Sequence, residues 1–233
     1  MAGGKRTMMR YLNLPTGGEE LAIRGRHEFV NETGDAWGTE DWEWHQVTGS
    51  PTLTWRSEWT GEWAGQTFAL LGHAVISPEG VERLKMRLER SGHAPQLITL
   101  TTLADSVLLH DDAEVQEIDL PTGFALFAPQ PSLARFALPF DLASEQRELA
   151  MTLYLRPSPP TRRLSARAVK FGYTPLGLRE FTVKEQVLRG KGWRLEVPGL
   201  SAQEAWFERN GTCLLWKVEG SWEARLVEWM QFG

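Results

Sequence analysis

The chain has 233 residues, one cysteine and a formal net charge of −5, with 42% apolar and 24% charged residues. This length fits one large β domain or two smaller ones, and the composition is ordinary for a globular protein. A general nucleic-acid surface is not expected, because it requires an excess of Lys and Arg on one face. The single cysteine, Cys213, excludes an intrachain disulfide and fits a reducing compartment.

The first 18 residues predict a loose N-terminal arm ahead of a single β domain over residues 19–233. This start contains no apolar run long enough for a signal peptide or a membrane span, so a cytoplasmic location is expected. Strand-like alternation begins near Leu21. A turn is predicted at Gly34-Asp-Ala36, before the first tryptophan-rich strands.

The strand from Leu53 to Gly65 carries the clearest pattern. Its odd positions hold three indoles with small residues between them, and its even positions are mostly polar. This period of two predicts a strand with the indoles on one face. The preceding strand repeats the arrangement with Trp42 and Trp44 on one face. The small residues are predicted to leave gaps that a bound partner fills. The residues on the Trp face of the later strand are Trp55, Ser57, Trp59, Gly61, Trp63 and Gly65.

The stretch from Val81 to Arg90 fits either a helix or a strand. Some of its apolar residues fall on one helical face, whereas Leu84, Met86 and Leu88 alternate with basic residues as in a strand. We prefer the strand, because a Ser-Pro-Glu-Gly turn comes directly before it.

The second half of the chain begins with an apolar segment, residues 123–142, that several prolines interrupt. It is predicted to cross a face of the sheet or to plug its end. Residues 144–154 can begin as a short helix, although their end is more strand-like. The Pro-rich residues 156–163 form a candidate linker that can sub-divide the β domain. The clearest hairpin spans Trp206–Trp216, where Asn210-Gly211 predicts a two-residue type I′ turn.

These elements are roughly a dozen strands with short connections, which favours antiparallel pairing. The sequence therefore predicts an all-β protein with little helix. Its long, strongly curved antiparallel sheet is expected to form a half-barrel or a partly closed barrel.

The sequence contains no catalytic, metal-binding or cofactor-binding motif. The five histidines lack a metal spacing such as H-x-x-x-H, and a single cysteine cannot form C-x-x-C. A G-x-S-x-G nucleophile elbow is absent, and Cys213 lies beside Leu214 in a strand, which favours inert packing. No catalytic residue, metal ion or cofactor is expected, so an enzyme is the less favoured class.

Eleven tryptophans form two clusters, residues 37–63 and residues 193–229. Core packing is one interpretation, because cross-strand aromatic pairs stabilise sheets. The other is a concave aromatic surface that binds a lipid, a sugar or a planar ligand. The candidate ligand-binding residues are Trp42, Trp44, Trp55, Trp59 and Trp63.

The second half contains Asp119-Leu-Pro-Thr-Gly123, then a long apolar stretch, then the Trp-rich segments Glu204–Trp216 and Trp222–Trp229. This order resembles uncharacterised bacterial β-sheet proteins of the glycolipid- or lipid-binding type. The resemblance implies a highly curved antiparallel sheet, similar to the half-barrels of lipoprotein carriers, and a ligand of the lipid class. It transfers no functional residues. Typical members carry a secretion signal, which the start of this chain lacks.

The leading hypothesis is non-enzymatic binding of an apolar or amphipathic small molecule, of the lipid or glycolipid class, on a concave Trp-lined face. The first alternative is a structural protein that self-associates through its Trp surface, since Trp is enriched at interface hot spots. A homo-oligomer is then expected. The second alternative is an enzyme with an acid/base pair that the sequence does not identify. Neither a nucleic-acid partner nor a membrane span is expected.

Overall fold

The computed structural model describes residues 9–63, 65–111, 114–119, 125–127, 130–136, 146–155, 164–196 and 198–232. The predicted linker 156–163 and the first eight residues of the predicted arm lie outside them. A short 3₁₀ helix spans Pro131–Phe136. The strands are β1 Glu19–Asn31, β2 Ala36–Val47, β3 Leu53–Trp63, β4 Gln66–Ser77, β5 Gly80–Arg90, β6 Gln96–Thr102, β7 Ser106–His110, β8 Val115–Asp119, β9 Ala125–Phe127, β10 Gln146–Leu155, β11 Leu164–Val183, β12 Gln186–Glu196, β13 Gln203–Phe207, β14 Cys213–Val218 and β15 Trp222–Gln231.

The 15 strands found among the described residues belong to one sheet, in the order β8-β7-β6-β5-β4-β3-β2-β1-β15-β14-β13-β12-β11-β10-β9. The first and last strands pair at the middle, and each half of the chain extends the sheet outward by neighbouring strands. Every pair is antiparallel except β9 with β10. The predicted all-β antiparallel fold is confirmed.

The connectivity requires the sheet to curve strongly. A flat sheet of 15 strands would separate its edge strands by roughly 67 Å, at about 4.8 Å for each neighbouring pair. The edge strands β8 and β9 are nevertheless consecutive in the chain. The polypeptide from Asp119 to Ala125 connects them and can span at most about 20 Å. The two edges therefore approach each other, as in a partly closed barrel.

A contact between distant strands shows the same curvature. The ammonium of Lys184, in the turn between β11 and β12, lies 2.7 Å from a carboxylate oxygen of Glu228 on β15. Three strands separate β11 from β15 in the sheet order. Such a contact requires the sheet to bend back toward itself.

Residues 80–90 form a strand, which confirms the preferred interpretation of this stretch. Leu84, Met86 and Leu88 are buried, whereas Arg87 between them is exposed. This burial of every second side chain is the pattern of a strand with one face on the core. Residues 146–155 are also a strand, so the short helix considered for that stretch is not formed there.

The hairpin between β13 and β14 has a longer loop than predicted. The backbone N–H of Glu208 donates to the carbonyl of Thr212 at 2.9 Å, and that of Gly211 donates to the carbonyl of Glu208 at 2.8 Å. Gly211 has a φ of 88°, but Asn210 does not have a positive φ. The two-residue type I′ turn is therefore wrong. The loop has three residues, Arg209 to Gly211, with only its last residue in the left-handed region.

Replacing Gly211 with valine is expected to destabilise the protein by about 1–3 kcal/mol, because a β-branched residue resists a positive φ. Gly211→Asn is the matched control, since asparagine tolerates the left-handed conformation and should cost less. Urea denaturation of both variants checks this. Equal midpoints for the valine variant and the parent would mean that the loop conformation is wrong.

Candidate functional site

The inner face of the sheet is the face that buries the tryptophans of β2 and β3. Residues that pair directly across neighbouring strands share a face, so the pairing divides this face into rows. The first row holds Ala224, Phe29, Gly38, Gly61, Phe68 and Arg90, and the second holds Leu226, His27, Glu40, Trp59, Leu70 and Leu88. The third row holds Gly25, Trp42, Ser57, Gly72, Met86 and Ile98. The fourth row holds Ile23, Trp44, Trp55, Ala74, Leu84 and Leu100.

The five tryptophans selected from the sequence all lie on this inner face. Trp42, Trp44, Trp55 and Trp59 are at most 5% exposed, so they are core side chains in this conformation. Trp63, two residues beyond Gly61, is only half-buried. It is the one member of the predicted set that solvent reaches to a substantial extent.

The small residues beside the indoles do not leave the predicted gaps at Ser57 and Gly61. A Cβ added at Gly61 would lie 2.6 Å from the carbonyl oxygen of Trp37, because β2 and β3 approach closely there. Ser57 is 1% exposed and accepts a hydrogen bond from the amide of Gln130. The protein's own chain fills these positions, so this part of the prediction is wrong.

Four half-buried aromatic residues form a cluster where β1, β3 and β5 end and β2, β4 and β15 begin. We call this cluster the aromatic rim: Trp37, Trp63, Phe68 and Trp222.

The rings of the aromatic rim pack on one another and on the core beneath. The ring centroids of Trp37 and Trp63 are 4.8 Å apart in an edge-to-face arrangement, and those of Trp37 and Trp222 are 6.3 Å apart. Phe68 packs edge to face on the buried Trp59 at 5.1 Å. Phe29 stacks on Trp59 at 4.5 Å with an interplanar angle of 17°. The rim is thus the accessible end of a continuous aromatic core.

A crossing segment, residues 130–136, lies on the inner face. Its residues from Gln130 to Ala134 are buried. The indole N–H of Trp55 donates to Oγ of Ser132 at 2.8 Å. The predicted crossing of a sheet face is confirmed for these buried residues, which cover β2 and β3.

Glu40 is a fully buried carboxylate in an otherwise mostly apolar row. It accepts hydrogen bonds from the hydroxyl and the backbone N–H of Ser132, the latter at 3.3 Å. Its Oε2 lies 3.0 Å from Nδ1 of His27, which is also fully buried. The carboxylate of Glu40 thus has three hydrogen-bond contacts, which compensate for its burial.

The second ring nitrogen of His27 fixes where its proton lies. Nε2 is 2.9 Å from the carbonyl oxygen of Cys213, and a carbonyl can only accept, so Nε2 carries a hydrogen. Nδ1 faces the carboxylate of Glu40. Neither residue is exposed at all, so this acid/base pair reaches no solute in this conformation.

Cys213 is buried at the start of β14, as its sequence context predicted. Burial raises the pKa of its thiol well above the usual value, and the nearby Glu40 raises it further. The neutral thiol is a weak nucleophile, so this environment favours packing over reactivity.

Residues 10–14 lie across the outer face of β2 and β3. The phenol of Tyr11 donates to Glu43 at 2.8 Å, and Arg10 pairs with Glu58 and with Glu89. Arg56 is 1% exposed and donates to the carbonyl of Asn13 at 2.8 Å. The polar side of β3 is therefore covered at Arg56 and Glu58, which its alternation alone did not indicate.

The pKa values of Tyr11 and of His73, which pairs with Arg56 across β3 and β4, are shifted. Burial and the hydrogen bond to Glu43 raise the pKa of Tyr11 to about 12. Burial, and then the positive charge of Arg56, lower the pKa of His73 from 6.5 to about 4. His73 is therefore neutral at pH 7 and resists protonation in the folded state.

The pKa of His73 predicts a loss of stability between about pH 6.5 and pH 4. In this window the unfolded chain binds a proton at this histidine and the folded chain does not, so stability falls as the pH decreases. His73→Gln should reduce the difference in unfolding free energy between pH 7 and pH 5, measured in urea. His93→Gln, at an exposed histidine, should keep the parent difference. An unchanged pH dependence in His73→Gln would contradict the assignment.

No protein-family model matches the chain, and no curated protein matches it. Two solved structures share its fold. A DUF1089 family protein from Pseudomonas aeruginosa is 14% identical, with a TM-score of 0.52 over 80% of this chain and 91% of that one. A β-barrel-like protein of the domain of unknown function DUF1849 from Brucella abortus is 7% identical, with a TM-score of 0.55 over 91% of this chain and 98% of that one. At these identities the likeness shows the fold alone.

Two absences hold for the residues that the structure describes. None of their helices has the length and the apolar character to cross a bilayer. No three His, Cys, Asp or Glu side chains among them are grouped closely enough to hold a metal ion.

Sequence reasoning missed two features of the inner face. Glu40 precedes Trp42 and Trp44 by even steps, so the period of two already placed this carboxylate on the Trp face. Its partners His27 and Ser132 are 13 and 92 residues away in the chain, and no local pattern connects them. Arg90 follows Leu88 by two residues in the alternating run of Leu84, Met86 and Leu88, so its inner-face position was also predictable from the sequence.

Proposed function

We propose that this protein binds an apolar or amphipathic small molecule, of the lipid or glycolipid class, without transforming it chemically. The observation that carries the proposal is the aromatic rim, whose half-buried rings continue into the buried rings of Phe29 and Trp59. A ligand that packs on the rim removes apolar surface from water, which stabilises the complex by roughly 25 cal/mol for each Å² buried.

The ligand contacts the rim rings first, including Trp63 from the set selected by sequence. Trp59 lies directly beneath them, with Phe68 and Trp37 against its ring. Trp42, Trp44 and Trp55 line the deeper rows. These three tryptophans contact the ligand only if its apolar tail extends further inward, between the sheet and the crossing segment.

Binding is tested with the apolar fluorophore N-phenyl-1-naphthylamine, whose emission rises in apolar sites. Trp37→Ser and Trp63→Ser should each weaken its binding on the order of tenfold, the cost of removing one packed aromatic contact. Val187→Ser is the matched control, because Val187 is 66% exposed and follows the turn that contacts Glu228 at the opposite end of β15. Equal binding by all three variants and the parent would reject the rim as the site.

The same rim supports one alternative, self-association, because partly exposed tryptophans are enriched in interface hot spots. Native mass spectrometry separates the two functions. A dimer that Trp63→Ser dissociates, in a chain that does not bind the fluorophore, would favour the interface. A monomer that binds the fluorophore favours the ligand site.

A further inference from the structure

Arg90 lies on the inner face, beside the aromatic rim. It is the last residue of β5 and pairs directly with Phe68 on β4. Because directly paired residues share a face, its side chain lies on the same face as Phe68. Arginine is an unusual residue for this face, whose other members along β5 are Leu84, Met86 and Leu88.

Two nitrogens of the Arg90 guanidinium are buried without a partner. Its Nε and Nη1 are shielded from solvent, and no group accepts a hydrogen bond from them. Arg24 and Arg56 each have one such nitrogen, but another nitrogen of each donates, to Met230 and to Glu19 respectively. Arg26 binds both carboxylate oxygens of Asp41, at 2.8 and 2.9 Å. Buried donors without acceptors are costly, so an unpaired guanidinium here needs an explanation.

The carboxylates of the surrounding sheet do not supply that partner. Glu89, the adjacent residue, pairs with Arg10 and Arg87 on the outer face. The carboxylate in the inner-face rows, Glu40, is on β2, three strands or roughly 14 Å away, and is held by His27 and Ser132.

We infer that Arg90 binds the anionic group, a phosphate or a carboxylate, of an amphipathic ligand whose apolar part packs on the aromatic rim. The inference rests on the proposed function and adds the charge of the ligand. A guanidinium presents parallel N–H donors that match both oxygens of such a group, and phosphate and carboxylate accept them without donating. The pairing satisfies the donors that the folded chain leaves unpaired.

The test compares three ligands as competitors of N-phenyl-1-naphthylamine: dodecyl phosphate, dodecyl maltoside and inorganic phosphate, the two amphiphiles below their micelle concentrations. Arg90→Gln should weaken dodecyl phosphate on the order of tenfold or more, as expected for losing hydrogen bonds to a charged group. The affinity of Arg90→Gln for dodecyl maltoside, which has the same alkyl chain and no charge, should change by less than about twofold. Arg90→Lys keeps the positive charge but lacks the parallel N–H donors of a guanidinium. Its affinity for dodecyl phosphate should therefore fall between those of the parent and Arg90→Gln.

Arg87→Gln is the matched control on the outer face of the same strand and should bind all ligands as the parent does. Arg90→Gln should also unfold at the parent temperature or above it, because it removes an unpaired buried charge. A lower unfolding temperature would overturn the inference and assign Arg90 a structural role.

The outcomes separate this inference from the proposed function. Failure of the parent to bind either amphiphile rejects the proposed function and the inference with it. Equal losses for both amphiphiles in Arg90→Gln, or no loss for either, overturn the role of Arg90 and leave the apolar site standing. If inorganic phosphate competes as well as dodecyl phosphate, the ligand is a free anion, and the inference that the ligand is an amphiphile is overturned.

Discussion

Replacing Glu40 with alanine should lower the free energy of unfolding by about 3–5 kcal/mol, measured by urea denaturation at pH 7. Glu40 is fully buried and accepts hydrogen bonds from His27 and Ser132. Its removal leaves buried donors without an acceptor, and it leaves any positive charge on His27 without a counter-ion. These costs add to the loss of the contacts themselves.

The matched control for Glu40 is Glu58→Ala on the outer face. Glu58 pairs with Arg10, whose side chain is 50% exposed, and such pairs are typically worth about 0–1 kcal/mol. A double substitution of Glu40 and His27 should lower the free energy of unfolding by less than the sum of the two single substitutions. In the double variant neither side chain remains buried without its partner. Equal losses in Glu40→Ala and Glu58→Ala would mean that the buried pair does not stabilise the fold.

Replacing Trp59 with alanine should destabilise the protein by about 3–5 kcal/mol. Trp59 is 2% exposed, stacks on Phe29 and meets the edge of Phe68. A cavity lined by rigid rings collapses little, so the loss includes the cavity and the lost aromatic contacts. The near-ultraviolet circular dichroism should weaken in parallel, since the coupled rings lose their fixed packing.

The matched control for Trp59 is Trp63→Ala, because Trp63 lies on the same face of the same strand, four residues further along the chain. It is half-buried at the rim and should cost clearly less stability. The comparison also separates core from ligand contact: Trp63 should affect binding more than stability, and Trp59 stability at least as much as binding. A stability loss for Trp63→Ala that equals the loss for Trp59→Ala would contradict the division between rim and core.

Local alternation predicted the strands because side-chain orientation is a local property of the backbone. The burial of every second side chain in β5, with Arg87 outside and Leu88 inside, follows directly from the period of two. The same period placed the five candidate tryptophans on one face. Alternation alone left the stretch from Val81 to Arg90 open between helix and strand; the turn before it favoured the strand, which the structure confirms.

Loop geometry was harder to predict than the strands. Asn210-Gly211 is the preferred sequence of a two-residue turn, but the pairing of Glu208 with Thr212 makes a three-residue loop instead. Asparagine tolerates both right-handed and left-handed conformations, so the dipeptide does not by itself select the turn. Within the observed loop, Oδ1 of Asn210 accepts a hydrogen bond from the backbone N–H of Thr212 at 2.8 Å, and the backbone N–H of Asn210 donates to Glu208 at 2.8 Å.

The sequence by itself determined the fold class, the faces of the strands and five of the tryptophans on the inner face. Each of these depends on residues that are close in the chain. Only the tertiary structure decided that four of the candidate tryptophans are buried and that Trp37, Phe68 and Trp222 join Trp63 at the rim. It also brought Ser132 to Glu40 across 92 residues. Burial and polar partnership depend on sheet curvature and on the crossing segment, and both arise from contacts between distant parts of the chain.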